Sequence, residues 1–431
     1  MLRKLQYICL VGSIGLVGAD RIDLFAGHGP FVLTPFLVLA PLLLLCSLLS
    51  NGSRGIFRLT ITPPVRRQIP FLAASILFLL LSFISIPFGL DPERGLVAFS
   101  GLLLVAVLGY CISVQILRES EQEKLIVQSV TFALIVYVIF CIGEYIAWAH
   151  GDFLDPSQRG GSWVESIFAP GTLSWAPRLG GFTLDSNRSG FVLVMFLALI
   201  DRFVVQTRYT QFLRYAIALL VLLTLSRSAM LCWFVYYLFS RTTWTRLASR
   251  RAVAWLAAIA IVCSLVCVAY QKKINDLVEA WEIADLVSAR MSMDPGSSGE
   301  SHILLIRRGV NTWLTSTQTM VAGIGFAAAP KVLGDFFGDD KHGNFHCLYV
   351  TVLAELGLPA FVVLMILLGY PIIGRKGTAS CIAAIMIFNV SYQSNLEPLF
   401  WVILALLWSF EPRDGHKLRS LALASVVASH H

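Results

Sequence analysis

Apolar runs of about 20 residues recur from one end of this 431-residue chain to the other. As a helix, at ~1.5 Å per residue, such a run matches the hydrocarbon thickness of a bilayer. The chain is 57% hydrophobic and 14% charged, whereas a soluble domain holds about 45–50% apolar and about 25% charged residues. A transmembrane barrel would show shorter, alternating segments. The expected class is an all-α polytopic membrane protein, a single integral-membrane domain over residues 1–431.

About twelve transmembrane helices are expected, near 5–19, 31–49, 70–88, 95–114, 125–148, 189–204, 211–225, 228–240, 252–270, 346–373, 377–392 and 397–410. The seventh and eighth are too short to cross straight, and read as a helical pair bent at Ser226 to Ser228. The N-terminus has the basic start and apolar run of a signal peptide; we read it as an uncleaved first span. Basic residues cluster in alternate short loops, at Arg54, Arg58, Arg66 and Arg67, then Arg118 and Lys124, Arg241 to Arg251, and Arg375 and Lys376. The positive-inside rule makes these loops and both termini cytoplasmic. It also accounts for most of the net charge of +7 without nucleic acid.

Two long segments then fall outside, residues 149–188 and 271–345. Loops of this length in a compact protein are usually functional. In the second, 272–290 and 301–317 read as amphipathic helices on the membrane boundary, the latter through Ile303, Ile306, Val310 and Trp313. The nine cysteines all lie in or beside apolar stretches, with no disulfide framework or zinc spacing.

The residues that could carry chemistry gather in the outside positions. His346 closes the longer loop and opens an apolar run, where an imidazole could exchange a proton near neutral pH; the plain alternative is a helix-cap histidine. Arg227 stands in Thr224-Leu225-Ser226-Arg227-Ser228, between two apolar runs. A charge at that depth is costly and suggests function, against the alternative of a snorkelling helix-end arginine. Guanidinium suits phosphate because its planar fork grips two oxygens. Arg178 and Asn187 flank a glycine-rich turn, in which Asp185, Ser186 or Asn187 could cap the sixth span. Arg188, Arg290, Arg307 and Arg308 also fall outside, Arg307 on a solvated helix face. Glu355 is expected as a partner for a base or hydroxyl, and Glu144 as a lining of the same cavity. Gly323-Ile324-Gly325 lacks the strand a dinucleotide site needs. His342 and His346 are four apart, but Gly343 and Asn344 argue against the helix that a zinc pair would use.

His346-Cys347, nine residues, then Gly357 resembles the signature of the O-antigen ligase and polymerase superfamily. Cys347 stands where that pattern has Asn, Ser or Gln, and Ala360 takes its last position. Thr224-Leu225-Ser226-Arg227-Ser228 resembles the family's Ser-Arg-small motif, Arg178 to Asn187 its Arg…Gly…Asn segment, and Gly323-Ile324-Gly325 its Gly-x-Gly. Their order matches from about the fifth span onward.

The resemblance implies a bacterial inner-membrane glycosyltransferase with a periplasmic active site. Its donor would be a glycan on undecaprenyl diphosphate, and its acceptor a lipid A-core sugar. Arg227, Arg290 and Arg178 would hold the diphosphate, and His346 would act as base, supported by Asn187 and Glu355. It implies no metal or other cofactor and no nucleic acid. An O-antigen or exopolysaccharide polymerase is the alternative within the superfamily, and a protein-directed oligosaccharyltransferase comes after it. A precursor transporter or flippase is the alternative outside it, although transporters usually show two matching halves.

Overall fold

The computed structural model describes residues 2–22, 24, 33–51, 68–150, 171–173, 176–241, 298–337, 343–372 and 378–409. The chain opens with α1 (Leu2–Gly15), α2 (Pro35–Asn51), α3 (Ile69–Ser85, extended by a 3-10 turn Ile86–Phe88), α4 (Pro92–Arg118) and α5 (Gln122–Ala149). An antiparallel hairpin of β1 (Gly171–Leu173) and β2 (Ala176–Arg178) follows, with Gly171 opposite Arg178. Next come α6 (Ser186–Phe203), α7 (Arg208–Leu223) and α8 (Arg227–Arg241), then α9 (Ser298–Leu314), α10 (Thr317–Ala322) and α11 (Ala329–Phe337). The last are α12 (Leu348–Gly369, extended by Tyr370–Ile372), α13 (Ala379–Phe388) and α14 (Pro398–Ser409). Every expected apolar segment among the described residues is helical. The segment 252–270 and the amphipathic stretch 272–290 lie outside them.

Four of these helices, Ile69–Phe88, Pro92–Arg118, Gln122–Ala149 and Leu348–Ile372, are long and apolar enough to cross a membrane. Their outward faces are as apolar as their inward ones. On α3, Ile76, Leu80 and Ile84 form a stripe at i, i+4, i+8 and are each about half exposed, while Phe71, Ser75, Phe78 and Ser82 are buried. On α5, Ile135, Ile139, Ile142 and Ile146 face outward, opposite Val130, Ala133, Tyr137 and Cys141. A helix with no polar side has no place at a water boundary, and an exposed apolar surface this extensive would aggregate in water. The protein is an all-α membrane protein.

All of α14 is buried, as is nearly all of α6, so these two helices run through the centre of the bundle. The polar contacts between helices lie towards the helix ends, in two groups. One end holds Gln6 on Ser47, Tyr7 on Gln128, and Asp201 between Arg214 (2.6 Å) and the Tyr236 hydroxyl (2.8 Å). The other holds Arg21 with Glu144, and Arg188 with Asp20 and Glu397. Helix starts follow the sequence locally. The Asp91 carboxylate accepts from the Arg94 N–H at 3.1 Å, Pro92 occupies the first turn of α4, and Arg118 closes its last turn.

Helix α9 forms where the second amphipathic helix is expected, and its inner face keeps Val310 and Trp313 of the expected four but not Ile303. Leu305, Trp313 and Leu314 pack in a cluster with Met320, Leu333, Phe345 and Ala354, while Ile303 is about half exposed. Gly309 sets this rotation: a Cβ there would stand 2.5 Å from Val350 and 2.8 Å from Phe345. The helix therefore seats against α12 through its glycine side. Arg307 is half-buried, not on a fully solvated face.

Candidate functional site

His346 sits on a corner, one residue before Cys347, the N-cap of α12. Its φ is +53°, uncommon for a residue with a side chain. The corner is held from both sides. The His346 N–H donates to Asn344 Oδ1 at 2.7 Å, and the Leu348 N–H donates to the carbonyls of Asn389 (3.0 Å) and Tyr392 (2.9 Å). His346 is half-buried and Cys347 is buried. The imidazole thus belongs to a braced loop corner at the start of α12.

Further along, α12 breaks at Gly357, which has φ +76° and ψ −175°, a backbone region essentially restricted to glycine. Pro359 follows, and having no N–H it leaves the Glu355 carbonyl without its helical donor. The Gly-x-Gly segment meets these freed groups: Ile324 N–H donates to the Ala354 carbonyl and Gly325 N–H to that of Glu355, both at 2.9 Å. A Cβ at Gly323 would lie 2.2 Å from the Glu355 carbonyl oxygen, and one at Gly357 2.2 Å from that of Val321. The two glycine motifs are therefore opposite sides of one backbone contact. The Glu355 carboxylate completes it, accepting from the Ala327 and Ala329 N–H groups at 3.0 Å each, at the start of α11. The Glu355 carboxylate is thus hydrogen-bonded by backbone amides, where the sequence suggested a base or hydroxyl as its partner.

The second group forms around Asn187. Asp185 is the N-cap of α6 and accepts from the Asn187 N–H at 2.8 Å. Burial raises the Asp185 carboxyl, opposed by that N–H and by Arg178. With the backbone capped by Asp185, the Asn187 side chain is free to act as a hub. Its Oδ1 accepts from Arg178 Nη2 (3.2 Å), Ser226 Oγ (2.6 Å) and, more loosely, Ser228 Oγ (3.3 Å).

Chain geometry delivers the serines there. Helix α7 stops at Thr224, whose hydroxyl bonds back to Val221 at 2.7 Å; Leu225 turns left-handed at φ +50°, and Ser226 Oγ accepts from the Ala229 N–H at 3.1 Å. Gly190 lets α8 approach α6, since a Cβ there would stand 2.0 Å from that of Ala229. Arg227, the first residue of α8, is exposed and has no hydrogen bond or ion pair among the described residues. The expected bend at 226–228 is this corner, one residue earlier.

Both groups adjoin the loop 389–397. That loop accepts the Leu348 N–H beside His346, and its Glu397 pairs with Arg188, the neighbour of Asn187. The structure therefore brings Arg178, Asn187 and the Ser226–Ser228 corner together, and puts His346 at the same end of the bundle. Arg290 lies outside the described residues, as does His342. Among the described residues no three His, Cys, Asp or Glu side chains gather as a metal site.

Arg188, expected outside, is an ion-paired strut at this end of the bundle. One expectation changes here. Glu144 lines no cavity; it is fully buried and accepts from the Gly180 and Gly181 N–H groups. Asp20, Arg21 and Glu397 organise this end of the bundle without any local sequence signal. Arg178 is held at the asparagine hub, and exposed Arg227 stands in the chain between the two serines bonded to that hub; guanidiniums suit an anion with several oxygens. No protein-family model matches the chain, and no curated protein is significantly similar to it.

Proposed function

We propose that the protein is an integral-membrane glycosyltransferase of the O-antigen ligase type, moving a glycan from undecaprenyl diphosphate to a lipid A-core hydroxyl. The observation that carries this reading is the convergence of Arg178, Asn187 and Ser226–Ser228 on one hydrogen-bonded hub, at the bundle end where His346 stands. These motifs are far apart in the chain, and no property of a generic helix bundle requires them to meet.

In this reading about twelve helices span a bacterial inner membrane, both termini are cytoplasmic, and the hub faces the periplasm. Arg178 and Arg227, joined by Arg290, hold the donor diphosphate. As the sugar C1–O bond breaks, the leaving diphosphate gains charge that the fixed guanidiniums stabilise without reorganising. Neutral His346 accepts the proton of the acceptor hydroxyl as that oxygen bonds to C1 from the opposite face. Such general-base assistance is worth roughly 10²–10⁴ in rate, and the single displacement inverts C1.

The direct test is reconstitution. Purified protein is given carrier-linked glycan with lipid A-core in one arm and carrier-linked repeat alone in the other. Label is expected on lipid A-core in the first arm. Lengthening of the carrier-linked glycan in the second arm would identify a polymerase instead. No covalent transfer in either arm, with glycan crossing sealed vesicles, would replace the enzyme reading with a flippase.

A further inference from the structure

We propose that Arg21 and Glu144 are positioning residues for the anion site, a buried clamp that fixes the loop presenting Arg178 and Asn187. The proposal rests on the reading of that site as the donor diphosphate site. Between β2 and α6 the chain turns through Leu179 to Asp185, and this turn is tied to α5 and to the segment that follows α1. Glu144, near the end of α5, receives the Gly180 N–H at 3.1 Å and the Gly181 N–H at 2.8 Å. Arg21, beyond the end of α1, pairs with Glu144 at 2.7 Å and donates from Nε to the Thr183 carbonyl at 3.2 Å. Its own N–H donates to the Phe182 carbonyl at 3.2 Å.

Packing closes the remaining freedom. Gly181 has φ +59°, and a Cβ there would stand 2.4 Å from the Tyr137 ring. Thr183 Oγ1 spans the turn between the Gly180 and Asp185 carbonyls, each at 2.9 Å. The turn thus enters at Arg178 and leaves at Asp185–Asn187, so its shape sets the distance between guanidinium and hub.

A buried ion pair is weak evidence for net stability, because desolvation offsets much of its Coulomb gain. Its strength here is geometric. A carboxylate accepts two consecutive N–H groups while a planar guanidinium holds it from the other side. Neither residue is placed to touch substrate; both act through Arg178 and Asn187.

The test uses full-length protein in nanodiscs and three readouts: thermal midpoint, affinity for undecaprenyl diphosphate, and kcat and KM of transfer. Glu144→Gln keeps the shape but loses the charge; Arg21→Lys keeps the charge but loses the Nε bond. The expected result is a rise of tenfold or more in donor KM and diphosphate Kd for Glu144→Gln. A smaller rise is expected for Arg21→Lys, with kcat at saturating donor within about twofold for both. A role in stability alone would lower the midpoint and the active fraction at unchanged KM and Kd, and would overturn the proposal. If Glu144→Gln does not fold, the same criteria decide on Arg21→Lys. Arg178→Ala separates the levels. Unchanged diphosphate affinity in Arg178→Ala sinks the diphosphate reading and the clamp with it. Weakened affinity there, with Glu144→Gln and Arg21→Lys unaffected, sinks the clamp alone.

Discussion

Replacing Asn187 separates anchoring from charge at the hub. Asn187→Ala removes the acceptor shared by Arg178 Nη2 at 3.2 Å and Ser226 Oγ at 2.6 Å. A hydrogen bond from a charged donor is worth ~1.5–3 kcal/mol net, and a neutral one ~0.5–1.5 kcal/mol. Ser226 and Ser228 stay within 3.0 Å of each other, so the third contact adds little. The Ser226 share holds α6 to the α7–α8 corner, and its loss should lower the thermal midpoint by about 1–5 °C. The Arg178 share holds the guanidinium in place. If it appears fully in donor binding, ~1.5–3 kcal/mol is a rise of roughly 10–150-fold in donor KM.

Asn187→Asp makes the complementary change. It keeps an oxygen for Arg178 and Ser226, so the midpoint should hold. Its negative charge also occupies Arg178 and repels the incoming diphosphate, so donor KM should still rise about tenfold, as for ~1.4 kcal/mol of lost attraction. The assay is steady-state transfer in nanodiscs with donor varied, beside calorimetric or fluorescence melting. Donor KM within about twofold of the parent in both variants would refute the assignment of this hub to donor binding.

His346→Ala should abolish transfer while leaving membrane insertion and undecaprenyl diphosphate affinity intact; turnover above about a tenth of the parent rate would exclude general-base catalysis there. Arg227→Lys and Arg290→Lys keep the charge but lose the bidentate fork, so both should raise donor KM by tenfold or more, and an unchanged KM removes that residue from the site. Transfer should survive exhaustive EDTA, because arginines carry the diphosphate charge in this mechanism; loss on chelation with recovery on Mg²⁺ or Zn²⁺ would defeat that part. Gly357→Ala should be destabilising by ~2–5 kcal/mol, from a glycine-only backbone region and a Cβ 2.2 Å from the Val321 carbonyl oxygen, and a melt within about 1 °C of the parent would show that the contact is not rigid.

Hydropathy alone determined most of the fold. An apolar run has to be helical in a bilayer, where every backbone group needs an internal partner, so each expected segment among the described residues appears as a helix. Local chemistry was legible too: Asp185 among the candidate caps of α6, and a bend near Ser226 between two short helices. Tertiary structure decided what the polar residues do. Arg188 and Arg227 were both expected outside, yet one is pinned by Asp20 and Glu397 and the other is exposed. Glu144 and Glu355 read as active-site carboxylates, yet both are spent on backbone N–H groups of loops distant in sequence. Gly357 and Gly323 looked like separate motifs, and only the packed chain shows that each makes room for the other's backbone. The physical reason is range. Burial and helix capping are set by neighbours within a turn or two, which a sequence displays. An ion pair such as Arg21–Glu144 depends on which helix ends the fold places side by side, and no local pattern records that.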